Sequence, residues 1–318
     1  MGLKISAIIP TYNRPQELTN CIQSILNQSV KPDEIIIIDD GNLNEVPLKA
    51  ECEQNGIELK YIKKEIPGVT QSRNMGARLS TGDIIFLLED DIVLFDDFFE
   101  QIMKTYKKYS NKSVGGVGGV IHNLDFSKTE KKILRFFYQI FLIVGFREGK
   151  ILRSGFSTDY GQTKFPLKGI HEVDFLPGGG SAFRKEVFDS FQFSEKYQTQ
   201  SGYGQGEDKE FPYLVSKQYS LLINTKARFY HYPAKKIGYN KFIKGKAFVL
   251  SRYFLFKECV KKRQIDWIYY IYAVTGYVLI RTYILILSMK KTEYDRVRGI
   301  LSAVKEILFK RTRLKRIL

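Results

Sequence analysis

The chain has 318 residues and a formal net charge of +16. Its three cysteines, Cys21, Cys52 and Cys259, are odd in number and lack paired spacing, so they suggest neither a disulfide framework nor a zinc site and fit a reducing cytoplasm. Residues 236–318 hold 20 Lys/Arg against 5 Asp/Glu, so the positive excess sits at the end of a chain whose first 235 residues are almost neutral.

In chain order, Lys4 to Ile9 predicts a strand ending at Pro10, and no apolar segment of secretory type precedes it. Leu18, Cys21, Ile22 and Ile25 recur at helical spacing and predict a helix over Gln16 to Asn27. Asp33 to Ile38 reads as a second, buried strand, Leu48 to Gln54 as a short helix, Ile57 to Ile62 as a third strand and Thr70 to Leu79 as another helix. The apolar run Gly82 to Leu88 predicts a fourth strand, followed by a helix over Asp96 to Tyr109. This alternation specifies an α/β fold with a largely parallel sheet covered by helices on both faces. Ligands of such sheets bind outside the carboxyl ends of the strands.

The fourth strand empties into Glu89, Asp90 and Asp91, and apolar chain resumes at once with Ile92, Val93 and Leu94. Crowded carboxylates repel one another unless a cation sits among them. Hard oxygen ligands suit Mn²⁺ or Mg²⁺, the latter commonly held by one or two carboxylates plus substrate phosphates. Pro10, Thr11, Tyr12, Asn13 and Arg14 end the first strand, and Asp39, Asp40, Gly41 and Asn42 end the second, so three polar loops should converge. There Tyr12 can stack on a nucleobase, Asp40 can accept its N–H, Asp90 can accept a ribose hydroxyl and Asp91 can face a diphosphate-bound metal. Taken singly, these loops are equally an ordinary helix start and an ordinary turn.

Taken together, Ile8 to Arg14, Ile38 to Gly41, Ser72 to Gly76 and Leu88 to Asp91 closely resemble family 2 glycosyltransferases, and so do Val173 to Arg184, Gly204 to Asp208 and Arg228 to Pro233. The resemblance covers about the first 235 residues, an ordinary size for one α/β domain. It implies the GT-A fold, a Rossmann-like nucleotide-diphospho-sugar transferase domain, with inverting transfer from a nucleotide-sugar donor. The family more often has Ser at the position of Asn42 and Asp at that of Glu89, which leaves open whether Glu89 touches the metal. In this frame Asp208 is the expected base that takes the acceptor proton, with Glu207 beside it. Asp208, Phe211 and Val215 share one face of a predicted helix that carries core residues, so Asp208 should look into a cleft. Helix capping is the other role open to these two acids. Arg73 suits a pyrophosphate, and the resemblance implies that His231 can complete the metal shell. Gly179 and Gly180 permit close backbone approach to a sugar or diphosphate, in a turn placed before a helix starting near Ala182. Asp174 has two readings, donor contact or the polar face of its strand.

Residues 236–318 form the second expected unit, a helical, basic, membrane-associating region. Trp267 to Met289 contains one charge, Arg281, and aromatics beside cations match a membrane interface with anionic lipid. Nucleic acid also attracts cations, but Ile284 to Leu287 gives it nothing to bind, so no nucleic-acid partner is expected. The stretch is long enough to span a bilayer. Basic residues flank it on both sides, so a re-entrant or peripheral helix at the cytoplasmic face conflicts less with the positive-inside tendency. A helical cap on the catalytic domain is the third reading. Ile133 to Phe146 is too short to span and reads as interfacial or as a buried helix, and Phe309 to Arg316 as a polybasic end suited to anionic headgroups. The expected activity is metal-dependent sugar transfer to a glycan or polyprenyl-linked acceptor in cell-surface polysaccharide synthesis; a catalytically inactive sugar-nucleotide- or lipid-binding subunit is the alternative.

Overall fold

The computed structural model describes residues 2–123, 129–161, 166–197, 205–233 and 240–309, with backbone alone over 129–132. Gly204 and the basic run Lys310 to Arg316 fall outside the described residues. The first half alternates β1 (Ile5–Thr11), α1 (Pro15–Leu26), β2 (Glu34–Asp39), α2 (Lys49–Gln54), β3 (Glu58–Lys63), α3 (Val69–Leu79), β4 (Ile84–Leu87), β5 (Ile92–Leu94) and α4 (Phe98–Lys108). It continues through β6 (Val114–Ile121), α5 (Thr129–Ile140), β7 (Lys150–Ile151), β8 (Ser157–Thr158), β9 (Ile170–Val173), β10 (Ser181–Arg184), α6 (Val187–Ser190), α7 (Glu207–Val215) and β11 (Ser220–His231). Three long helices follow: α8 (Lys241–Phe254), which runs into a π-helical turn over Leu255–Val260, then α9 (Asp266–Ser288) and α10 (Lys291–Leu308).

The main sheet runs β3-β2-β1-β4-β10-β6-β11-β5, with β9 added on β11. Strand alternation divides its side chains between two cores. Ala7, Ile9, Ile35, Ile37, Ile84 and Phe86 point to the α1 and α4 side, where Leu18, Ile22, Phe98 and Phe99 meet them. Ile8, Ile36, Ile38, Ile85 and Leu87 point to the other side, against Ala77, Val187, Phe211 and Val215. Both faces are therefore buried, as uninterrupted apolar strands require.

One expectation is corrected: the segment from Ser181 is a strand and not a helix. β10 lies antiparallel between β4 and β6, with Phe183 opposite Ile85 and Gly116. Its ring fills the space that Gly116 leaves, since a Cβ there would come 2.8 Å from Phe183 Cδ1. Cross-strand packing thus decides the conformation of four residues too few to show a period.

The three long helices share a core with Ile143, Val144, Phe156, Tyr197 and Tyr213 from before residue 235. α8 and α10 meet backbone to backbone: a Cβ on Gly299 would sit 2.0 Å from the Phe242 carbonyl oxygen, and one on Gly245 would sit 2.3 Å from that of Arg296. α9 is the one helix among the described residues long and apolar enough to cross a membrane, with a mean hydropathy of 1.6. Its inner face buries Tyr270, Ala273, Val274, Tyr277 and Ile280, while Ile268, Ile271, Leu279, Tyr283 and Ile286 are exposed. α5 is divided likewise: Leu134 and Tyr138 pack inward, and Ile133, Phe136, Phe137 and Ile140 face out.

Candidate active site

β4 ends at Leu87, and the link to β5 turns its acids in two directions. Asp90 is buried, where its carboxylate accepts from Thr11 Oγ1 at 2.8 Å and from Arg14 Nη1 at 2.9 Å. Burial pushes its pKa up to about 6, against the pull of Arg14. Glu89 and Asp91 face His231. β11 pairs antiparallel with β5, setting His231 opposite Ile92, and the Tyr232 amide donates to the Asp91 carbonyl at 2.9 Å. This pairing brings His231 Nε2 to 3.4 Å from Asp91 Oδ1 and 3.8 Å from Glu89 Oε2. One ligand atom from each of the three lies within 4.8 Å of the others. Two carboxylates and an imidazole at this spacing form a donor set that fits Mn²⁺ or Mg²⁺.

These groups open onto a cavity of about 610 Å³. Its wall includes Pro10, Thr11, Tyr12, Arg14, Asp40, Arg73, Glu89, Asp90, Asp91, Gly179, Glu207, Asp208 and His231, every expected site residue but Gly180. Gly180 is explained without a ligand. Its φ is +77°, and a Cβ would fall 2.4 Å from the Phe229 ring. Asp174 is absent from the wall as well: its carboxylate is 2.8 Å from Lys150 Nζ and accepts the Ile151 amide at 2.9 Å, which fastens β7.

Asp40 is buried and already engaged. Lys64 Nζ at 2.8 Å and Ser72 Oγ at 2.7 Å meet Oδ1, and the Gly68 amide donates to Oδ2 at 3.0 Å. Arg73 is 1% exposed and donates from Nη2 to Glu89 at 3.1 Å and to the Gly178 carbonyl at 3.0 Å. Its Nη1 has no hydrogen-bond acceptor and stands 3.8 Å from Glu207. Arg73 therefore ties the acid tip to the start of α7.

α7 opens at Gly206, whose φ of +110° turns the chain so that Glu207 and Asp208 start the helix. Phe211 and Val215 anchor its buried side. Glu207 is enclosed; burial and then the Asp208 charge push its pKa up, with Arg73 opposing. Asp208 faces the cavity, with Lys209 Nζ at 3.4 Å. Gly178 lies between the two acidic groups: a Cβ there would stand 3.3 Å from both Asp208 Cβ and Glu89 Oε1, a tight contact.

Sequence reasoning missed Lys64, Asp159, Lys209 and Lys244. Lys209 stands beside the acids of α7, a signal that could have been used; Asp159 follows β8 with no motif around it. Lys209 Nζ is 3.1 Å from Asp159. Burial alone would raise the Asp159 pKa, but Lys209 and Arg252 hold it below its usual value.

Residues 6–191 match the model of Glycosyl transferase family 2. The glucosyl-dolichyl phosphate glucuronosyltransferase of Haloferax volcanii is 29% identical over 123 residues, 37% of this chain and 38% of its own length. TarP of Staphylococcus aureus, a poly(ribitol-phosphate) beta-N-acetylglucosaminyltransferase, is 32% identical over 121 residues, 37% of each chain. The chain thus spans under two fifths of the length of either curated relative. Among solved structures, S. aureus TarS 1-349 in complex with UDP-GlcNAc superposes with a TM-score of 0.58 at 13% identity, covering 96% of this chain and 83% of that one. The mannosyltransferase PcManGT from Pyrobaculum calidifontis, solved with GDP-Man and Mn²⁺, gives 0.56 at 14% identity, covering 98% and 89%. These two share the GT-A fold with it, well beyond residue 235. A family model that matches more than half of the residues leads to one conclusion: the chain belongs to glycosyl transferase family 2.

Proposed function

We propose that the chain is an inverting, metal-dependent glycosyltransferase that moves a sugar from a nucleoside diphosphate to a membrane-held glycan or polyprenyl-linked acceptor, in the synthesis of cell-surface polysaccharide or glycoconjugate. The observation that carries this reading is the single cavity shared by Asp208 and the Glu89, Asp91 and His231 group. Tyr12, Asp40 and Asp90 line this cavity; in this reading Tyr12 stacks on the nucleobase, Asp40 faces its N–H and Asp90 meets a ribose hydroxyl. Glu89, Asp91 and His231 would hold Mn²⁺ or Mg²⁺, which supplies charge neutralisation for the departing diphosphate. Asp208 takes the proton of the acceptor hydroxyl while that oxygen bonds the anomeric carbon and the bond from this carbon to the diphosphate breaks on the opposite face. Gly179 leaves room for the Glu89 side chain, since a Cβ there would sit 2.9 Å from Glu89 Cγ.

The membrane assignment rests on the outward faces of α5 and α9, whose exposed Ile, Leu, Phe and Tyr side chains are bordered by Lys257, Lys261, Lys262, Lys290 and Lys291. α8 before α9 and α10 after it pack on each other. This favours a helix lying along the cytoplasmic surface of the bilayer over one that crosses it.

The test is a panel of UDP, GDP and their sugars, scored by thermal stabilisation with and without Mn²⁺. One nucleotide should raise the melting temperature only with Mn²⁺, and Asp91→Asn should erase that rise. Absence of any Mn²⁺-dependent rise across the panel removes the donor assignment.

A further inference from the structure

A second cavity, of about 490 Å³, lies among α5, α8, α9 and α10. Resting on the transferase reading above, we propose that it is an acceptor subsite, which takes the phosphate of an amphiphilic phosphate ester whose apolar chain leaves along the exposed face of α5 and α9. Five cations line it, Arg135, Lys244, Arg252, Arg281 and Arg296, against one carboxylate among the described lining residues, Asp159. Arg252 is 8% exposed, and its Nε has no hydrogen-bond acceptor. The Nε atoms of Arg281 and Arg296 are equally unsatisfied, and both side chains share a single carboxylate, Glu293, at 3.7 and 3.1 Å. Buried guanidinium N–H groups without acceptors are costly, and a phosphate supplies several acceptors in the matching geometry.

The remaining wall is apolar. The Phe248 ring lies tilted 4.9 Å from that of Tyr277 and edge-on 6.0 Å from that of Phe156, and the Tyr138 hydroxyl has no partner. Free phosphate would have no use for these rings, whereas a prenyl chain would bury against them and continue over Phe136, Phe137 and Ile140. A flat bilayer headgroup layer could not reach Arg252, which is enclosed. Asp159 and Lys244 line both cavities, and Lys209 joins Asp159 to Asp208. A group carried on the bound phosphate therefore enters the cleft beside the proposed base.

The experiment is calorimetric titration of the full chain with citronellyl phosphate, its alcohol citronellol, and inorganic phosphate. Citronellyl phosphate should bind saturably, the other two at least about tenfold more weakly, and Arg252→Ala and Arg281→Ala should each weaken it about tenfold. Arg252→Lys should fall between, and Mn²⁺-dependent nucleotide binding should be unchanged in all three, which controls for folding. The proposal is overturned by no saturable binding, or by unaltered affinity in Arg252→Ala. Inorganic phosphate binding as tightly as the ester would make this a free-phosphate site and overturn the amphiphile assignment. Asp91→Asn should lose nucleotide and keep citronellyl phosphate; if no nucleotide binds the parent protein while the ester does, the donor reading fails and this subsite stands.

Discussion

The carboxyl edge of the sheet and the layer of C-terminal helices solve opposite electrostatic problems. At the sheet edge the acids have protein counterparts, Asp40 with Lys64 at 2.8 Å, Asp90 with Arg14 at 2.9 Å, Glu89 with Arg73 at 3.1 Å and Asp91 with Arg14 at 3.4 Å, while Glu89 and Asp91 also face His231. Its geometry is set before any ligand arrives. In the second cavity, among the described lining residues, five cations face one carboxylate, Asp159, which favours an anionic ligand. The first region is built to orient a small, highly charged molecule; the second is built to be completed by one. Pre-organisation of that kind favours catalysis, while a cluster with cations in excess favours capture of an anion.

Asp208→Asn gives the widest expected separation between the regions. Turnover should fall about 10²–10⁴-fold, with nucleotide affinity and lipid association kept; retained turnover would remove Asp208 as the base. Phe136→Glu combined with Ile286→Glu should act in reverse, lowering sedimentation with anionic vesicles by about tenfold or more, because each apolar side chain contributes roughly 1.5–3 kcal/mol when buried. Unchanged sedimentation would exclude these faces from the lipid contact. Gly299→Val collides with the Phe242 carbonyl and should cost about 1–3 kcal/mol on chemical denaturation. Nucleotide binding should survive it if the helical layer can loosen without moving the sheet edge.

A pH dependence is expected at Glu207. Burial and Asp208 raise its pKa from 4.5 to about 7, against Arg73, so the folded protein holds a proton there that the unfolded chain has lost. Its contribution to stability therefore declines as pH rises from about 4.5 to about 7 and is level above. Glu207→Gln should melt with the parent near pH 4.5 and a few degrees above it at pH 8; a pH-independent difference would show that no such proton is held.

The sheet edge was legible because its chemistry is local. Ile-Pro-Thr-Tyr-Asn-Arg, Asp39-Asp40 and Glu89-Asp90-Asp91 each sit at the end of a strand whose apolar run announces it, and a parallel sheet carries such ends to one side. Asp174 could not be assigned from sequence for the converse reason. It follows a strand with an acid at its tip, as Asp90 does, yet β9 lies beyond β11 and its acid clamps β7. Asp159 and the arginine cavity gave no signal, since Arg252, Arg281 and Arg296 come from three different helices and meet only when Gly245 and Gly299 let α8 and α10 touch. The helix expected at Ala182 failed because the strand there is imposed by its neighbours.

That late strand governs the order in which the molecule can be assembled. β1, β2, β3 and β4 pair among themselves, but β4 has no neighbour on its other side, and β6 none at Gly116 to Gly118, until Ser181 to Arg184 has been synthesised. A nascent chain halted earlier carries an open, apolar β4 margin and a β6 without either of its partners, backbone edges of the kind that pair with other chains. Closure joins residues about a hundred positions apart, and contacts of such span form slowly. Completion of the sheet between β4 and β6 therefore waits on four residues in the middle of the sequence.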